Sequence, residues 1–174
     1  MNPSHEKQVE EIKKLKPKKV LEIGVGNGDV SKNLKARYST VTLDIDKKLN
    51  PDIVSDVRGM PFEENSFDLV LCAEVLEHIP FKHFRKAISE ICRVTRKYAV
   101  ITLPRTSSAT KPITKNLILK RIGYPLPHYW EIDWLGTPYS KVKRIISERF
   151  EVLDDYRFKQ KPNHHFFILS KLPE

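Results

Sequence analysis

Cysteine is scarce in this chain of 174 residues: there are two, Cys72 and Cys92. Both fall inside apolar patterns and they form no C-x-x-C pair, so neither carries a metal or redox role and both read as reduced core thiols. Long hydrophobic runs are also missing. None approaches the roughly 20 residues that cross a bilayer, and the opening MNPSHEKQVEEIKKLKPKK lacks the apolar stretch of a secretory signal. These absences predict a cytoplasmic protein without membrane contact. Internal repeats and low-complexity tracts are absent too, and with 40% apolar residues the chain suits one full core rather than two. The expectation is a single domain. Its formal charge of +9 would favour an acidic partner. The Lys and Arg residues are spread over predicted helix faces, however, without K/R-rich blocks or interleaved aromatics. A nucleic-acid partner is therefore allowed but not favoured over a small-molecule substrate.

What the chain does have is VLEIGVGNG, Val20 to Gly28. Val20, Leu21 and Ile23 form a buried strand that runs into a turn with glycine at 24, 26 and 28. Glycines at that spacing let the backbone reverse and leave bare main chain for a nucleotide-like ligand. The dinucleotide fingerprint G-x-G-x-x-G would need glycine where Asp29 stands, which argues against NAD. With Glu22 in front, the segment instead resembles the E-x-G-x-G-x-G motif of class I S-adenosylmethionine (SAM) dependent methyltransferases.

Periodicity along the chain predicts a helix over 5–15 (Val9, Ile12, Leu15) ended by Pro17, a strand over 19–23, a helix near 29–38 and a strand over 41–45. A short strand near 52–55, a buried strand over 67–72, a helix over 81–95 and a strand over 98–103 follow. Alternation of this kind calls for a parallel sheet with right-handed crossovers. After Pro104 the pattern breaks down, and residues 105–136 read as a substrate-side insertion. A helix over 140–149 and two strands, 150–158 and 165–169, close the chain as an antiparallel hairpin. The fold class is α/β, a Rossmann-like doubly wound sheet that is mostly parallel. The family resemblance covers nearly the whole chain and implies the strand order 3-2-1-4-5-7-6.

Ligands of open parallel sheets sit beyond the carboxyl ends of the strands. The resemblance therefore implies S-adenosylmethionine held by the glycine turn with Glu22 nearby, by Asp44 on the ribose hydroxyls and by Ile45 against the adenine face. It further implies Asp56 and the Val57 backbone on the adenine edge, and main-chain carbonyls at Cys72 and Ala73 on the methionine amine. Asp46 reads better as a helix cap. The fourth strand continues into NSFDLVLCAEVLEH, which strengthens the resemblance to small methyltransferases with an EVLEH segment.

Glu74, Glu77 and His78 stand at i, i+3 and i+4, which would put them on one face if a helix starts there. Three readings compete: helix bracing; His78, with Glu74, as general base or substrate orienter; and a divalent-cation site, as E-x-x-E-H forms in small-RNA ribose methyltransferases and some quinone O-methyltransferases. His128, in PHYWEIDW, is the candidate fourth ligand or a further catalytic residue, and Tyr124, Tyr129, Trp130 and Trp134 are candidates for an acceptor pocket or for core. No metal is assigned as the leading expectation. An [N/D]-P-P-[Y/F] motif is absent, with AEVL in its place, and no cysteine stands where C5 methylation of pyrimidines would need one. The expected activity is methyl transfer to O, N or C of a small molecule, with an RNA ribose methyltransferase or a non-catalytic SAM-binding partner as alternatives.

Overall fold

The computed structural model describes residues 1–106, 128–134 and 136–173. Helix α1 (Pro3–Leu15) starts where the Asn2 side chain accepts the His5 N–H at 3.0 Å and proline occupies the first turn, and it stops at Lys16, whose φ of 49° is left-handed. Strand β1 (Lys19–Ile23), α2 (Asp29–Lys35), β2 (Ser39–Asp44) and the two-residue β3 (Ile53–Val54) complete the first half. Strand β4 (Phe67–Ala73), α3 (Phe84–Val94), β5 (Thr95–Pro104), α4 (Tyr139–Ser147), β6 (Phe150–Arg157) and β7 (His164–Lys171) form the second.

The seven strands make one sheet in the order β3-β2-β1-β4-β5-β7-β6. All pairs from β3 to β5 are parallel, while β7 runs antiparallel to both β5 and β6. A tight β6–β7 connection without a crossover helix forces that reversal. Alternation within the central strands divides the core by face. Leu69, Leu71 and Val20 pack with Val9, Ile12, Val30 and Leu34 beneath α1 and α2. Val70, Cys72 and Leu21 face the other way, into Phe84, Ile88, Ile91, Val142 and Ile146 of α3 and α4. Helix α3 reaches that core through a stripe at 84, 87, 88, 91 and 92, the spacing of one helical face.

Some expectations need correcting. The helix predicted over 81–95 begins as a 3₁₀ turn at Phe81–His83 and becomes α-helical only at Phe84. No α-helix follows β4 directly: Glu74 takes φ 54°, and a 3₁₀ turn covers Leu76–His78. The three residues expected on one α-helical face therefore do not share one. Most of the 105–136 insertion, Tyr124 included, lies outside the described residues.

The chain winds away from β1 in both directions, to β2 on one side and β4 on the other, so a crevice opens where the carboxyl ends of β1 and β4 part. That crevice is a cavity of about 700 Å³.

Candidate active site

One side of the cavity is built by backbone conformation. Gly24, Gly26 and Gly28 all have positive φ, at 87°, 53° and 79°. At Gly24 the need for glycine is doubled, because a Cβ there would meet Val75 Cγ2 at 2.4 Å. The turn is tied to the neighbouring strand: Gly24 N–H donates to Leu43 O at 2.8 Å, and Val25 N–H donates to Asp44 Oδ2 at 2.8 Å. Asp44 Oδ1 accepts the Asp46 N–H at 2.9 Å. Each Asp44 oxygen thus has one backbone donor and keeps lone-pair capacity toward the cavity it lines. Asp46 does cap the following 3₁₀ turn, accepting the Lys48 N–H.

Ile45, exposed at 68%, lines the cavity with Asp56 and Val57. The Asp56 carboxylate is held by the Arg58 guanidinium and backbone N–H, and this pairing keeps its pKa below the usual carboxylate range. Glu22 lies beneath the glycine turn. Its Oε2 has no hydrogen-bond partner, and burial pushes its pKa up to about 7. Ala73 reaches the cavity, whereas the wholly buried Cys72 and the helix-capping Gly28 are outside its lining.

The far wall is different in kind. Glu74 lines it in a left-handed conformation that a non-glycine residue adopts at a cost of about 1 kcal/mol, held by its N–H donating to Thr102 O at 3.0 Å. Its Oε1 lies 3.5 Å from His164 Nδ1, which in turn sits 3.1 Å from Ser4 Oγ of α1. Burial raises the Glu74 pKa and lowers that of His164 to about 4.

Glu77 is fully buried behind this wall, and neither of its oxygens has a hydrogen-bond partner. Burial first, then the Glu74 carboxyl, push its pKa well above the usual carboxylate range. Its Oε1 lies 3.9 Å from His128 Nε2 and 4.0 Å from His78 Nε2. His128 reaches this place because segment 128–131 is clamped to the turn after β4. Tyr129 N–H donates to Glu77 O at 2.8 Å, and Trp130 Nε1–H donates to Ile79 O at 3.1 Å. The Trp130 ring is wedged edge-on against Phe81 and Phe84. Trp130 is thus core, and Tyr129 borders the cavity.

Ser4, Gln8 and His164 line the cavity and were not anticipated from sequence. Their signal was present in part, since Ser4 and Gln8 stand one turn apart on the buried face of α1, where a purely structural helix would place apolar side chains.

A glycine turn after β1, an acid closing β2 and the order 3-2-1-4-5-7-6 define the class I methyltransferase fold. Residues 21–103 match the family described as "Methyltransferase domain". An uncharacterized protein of Methanocaldococcus jannaschii is 37% identical over 154 residues, covering 81% of this chain and 66% of that protein. The "Probable tocopherol O-methyltransferase, chloroplastic" of Oryza sativa subsp. japonica is 31% identical over 161 residues, covering 76% of this chain and 42% of that one. The chain thus spans between about two fifths and two thirds of these relatives' lengths. The N-methyltransferase NodS of Bradyrhizobium japonicum, solved with S-adenosyl-L-homocysteine (SAH), shares the fold at TM-score 0.67 and 17% identity, over 99% of this chain and 89% of that one. Among the described residues, no helix is long and apolar enough to cross a membrane.

Proposed function

We propose that this protein transfers a methyl group from SAM to O, N or C of a small-molecule acceptor. The observation that carries the reading is the glycine turn locked to Asp44 at the mouth of the cavity, a cradle with positive φ, no side-chain bulk and a carboxylate with lone pairs to spare. In this reading, Gly24 and Gly26 offer main chain to the methionine portion, and Asp44 accepts hydrogen bonds from the ribose hydroxyls. Ile45 and Val57 bracket the adenine, with Asp56 and its Arg58 partner at the edge, while Ala73 faces the amino end. Glu74, His78 and His128 stand on the acceptor side, where a proton removed from the acceptor would go.

The sulfonium supplies an already activated methyl group, so the protein's part is alignment and exclusion of competing water. Calorimetric titration with SAH tests the reading: saturable binding that weakens in Asp44→Ala supports it, and absence of binding overturns it. The charge of +9 favours a second acceptor class, an RNA ribose, which would show as RNA binding that falls steeply with salt.

A further inference from the structure

The wall after β4 carries a histidine to which the proposed methyl transfer gives no part. His164 opens β7 and closes the β6–β7 turn, where its N–H donates to Lys161 O at 2.8 Å and its carbonyl accepts the Phe158 N–H at 2.9 Å. Antiparallel pairing sets it opposite Pro104, the last residue of β5. The start of β7 therefore lies at the rim where the carboxyl ends of β4 and β5 stand side by side. His164 is buried from solvent, yet it lines the cavity together with Ser4 and Glu74.

Two contacts fix how the ring is presented. Nδ1 lies 3.1 Å from Ser4 Oγ and 3.5 Å from Glu74 Oε1. A hydroxyl and a carboxyl beside one ring nitrogen hold the proton there, so the neutral ring carries its lone pair on Nε2. Among the described residues Nε2 has no hydrogen-bond partner. The ring is also kept uncharged: burial first, then Lys161 of the β6–β7 turn, His5 of α1 and His128, bring its pKa down to about 4. Glu74 opposes them from the turn after β4.

Neither neighbour of Nδ1 is explained by packing. Ser4 is a polar side chain at 1% exposure on the buried face of α1, where an apolar residue would pack better. Glu74 takes a φ of 54°, which a non-glycine residue adopts at a cost, and its hydrogen bond to Thr102 O of β5 holds it there. Backbone strain at a cavity wall that brings a carboxyl to an imidazole points to function.

We propose that His164 takes the proton of the methyl acceptor, with Glu74 and Ser4 as its positioning residues. The inference rests on the proposed methyl transfer and narrows its acceptor to a protic nucleophile, an N–H or O–H group rather than a carbanion or a carboxylate. Nε2 accepts that proton as the bond from nitrogen or oxygen to the methyl carbon forms and the carbon–sulfur bond breaks. The sulfonium leaves as a neutral thioether. The Glu74 carboxylate at Nδ1 stabilises the imidazolium, which gives its proton to water when the product leaves.

Sinefungin is the probe, because it carries a primary ammonium where SAM carries its methyl group, so its N–H groups point at whatever faces the transferred methyl. In calorimetric titrations of the full chain it should bind about tenfold tighter than SAH, through a charge-assisted hydrogen bond to Nε2. His164→Ala should bring the two affinities within about threefold of each other while SAH affinity itself changes less than about threefold. Ser4→Ala and Glu74→Gln should each remove most of the preference by unfixing the ring, and Ser4→Thr, which keeps the hydroxyl, should restore it. Nitrogen-15 spectra of the wild-type chain, which need no variant to fold, should show a neutral His164 with its proton on Nδ1 and an Nε2 resonance that shifts when sinefungin binds. A proton on Nε2, or a sinefungin preference that survives His164→Ala, overturns the assignment. SAH binding with no sinefungin preference overturns it too, whereas a chain that binds neither ligand overturns the methyl-transfer reading and the inference with it.

Discussion

The two walls of the cavity treat their carboxylates in opposite ways. On the side built by β1, β2 and β3, Asp44 is held by two backbone N–H groups and Asp56 by the Arg58 guanidinium and backbone. On the side built after β4, Glu74 Oε1 and both oxygens of Glu77 are buried without a hydrogen-bond partner. Satisfied acids fix a rigid cradle before any ligand arrives. Unsatisfied ones store a cost that a proton, a cation or a polar acceptor would relieve. In the proposed reading, the difference separates a preformed donor pocket from an acceptor side that is completed by what binds there.

Glu22 is the exception on the first wall and gives the largest expected effect. Burial lifts its pKa to about 7, above the ordinary glutamate value of 4.5, so the folded chain retains a proton that the unfolded chain loses. Stability from this group is full below about pH 4.5 and declines as pH rises to about 7, by on the order of 3 kcal/mol in all. Urea denaturation at pH 5 and pH 7.5 should show that decline, and Glu22→Gln should flatten it. An unchanged slope would mean that Glu22 finds a partner, restoring a uniform first wall.

Next in size, Asp44→Ala removes the carboxylate that holds the turn and, in the proposed reading, the ribose, at about 2–3 kcal/mol of ligand binding, or roughly 30- to 100-fold in SAH affinity by calorimetry. Retention of wild-type affinity would break the claim that this wall is the donor pocket. Gly24→Ala should lower the thermal midpoint by about 3–6 °C, since it strains a φ of 87° and drives a methyl into Val75. A scan with no shift would show that the turn relaxes freely. The smallest effect belongs to Arg58→Ala. Its partly exposed pairing with Asp56 should matter by less than about 1 kcal/mol, visible as at most a few-fold change in SAH affinity.

The first wall was legible because it depends on local sequence. Glycine at 24, 26 and 28 is what positive φ requires, and Asp44 follows from the end of an apolar strand. The strand order also came from the resemblance those residues carry, and it holds throughout. The second wall misled for the opposite reason. The i, i+3, i+4 spacing of Glu74, Glu77 and His78 suggested one helical face, but Glu74 enters the left-handed region and is held there by β5, a strand distant in sequence. Nor does periodicity mark His164 as a neighbour of Glu74, because β7 reaches that place only through its antiparallel pairing with β5.

Sequence by itself determined the strands and the glycine turn through backbone preference and hydrophobic alternation within a few residues, and pointed to the strand order and to the acids beside the turn through the family resemblance those residues carry. Tertiary structure alone decided that Glu77 is buried without a partner, that His128 and Glu131 arrive beside it, and that Ser4 and His164 border the cavity. Those groups lie on segments up to 160 residues apart. Burial and the meeting of distant charges are properties of the packed chain, and no local pattern encodes them.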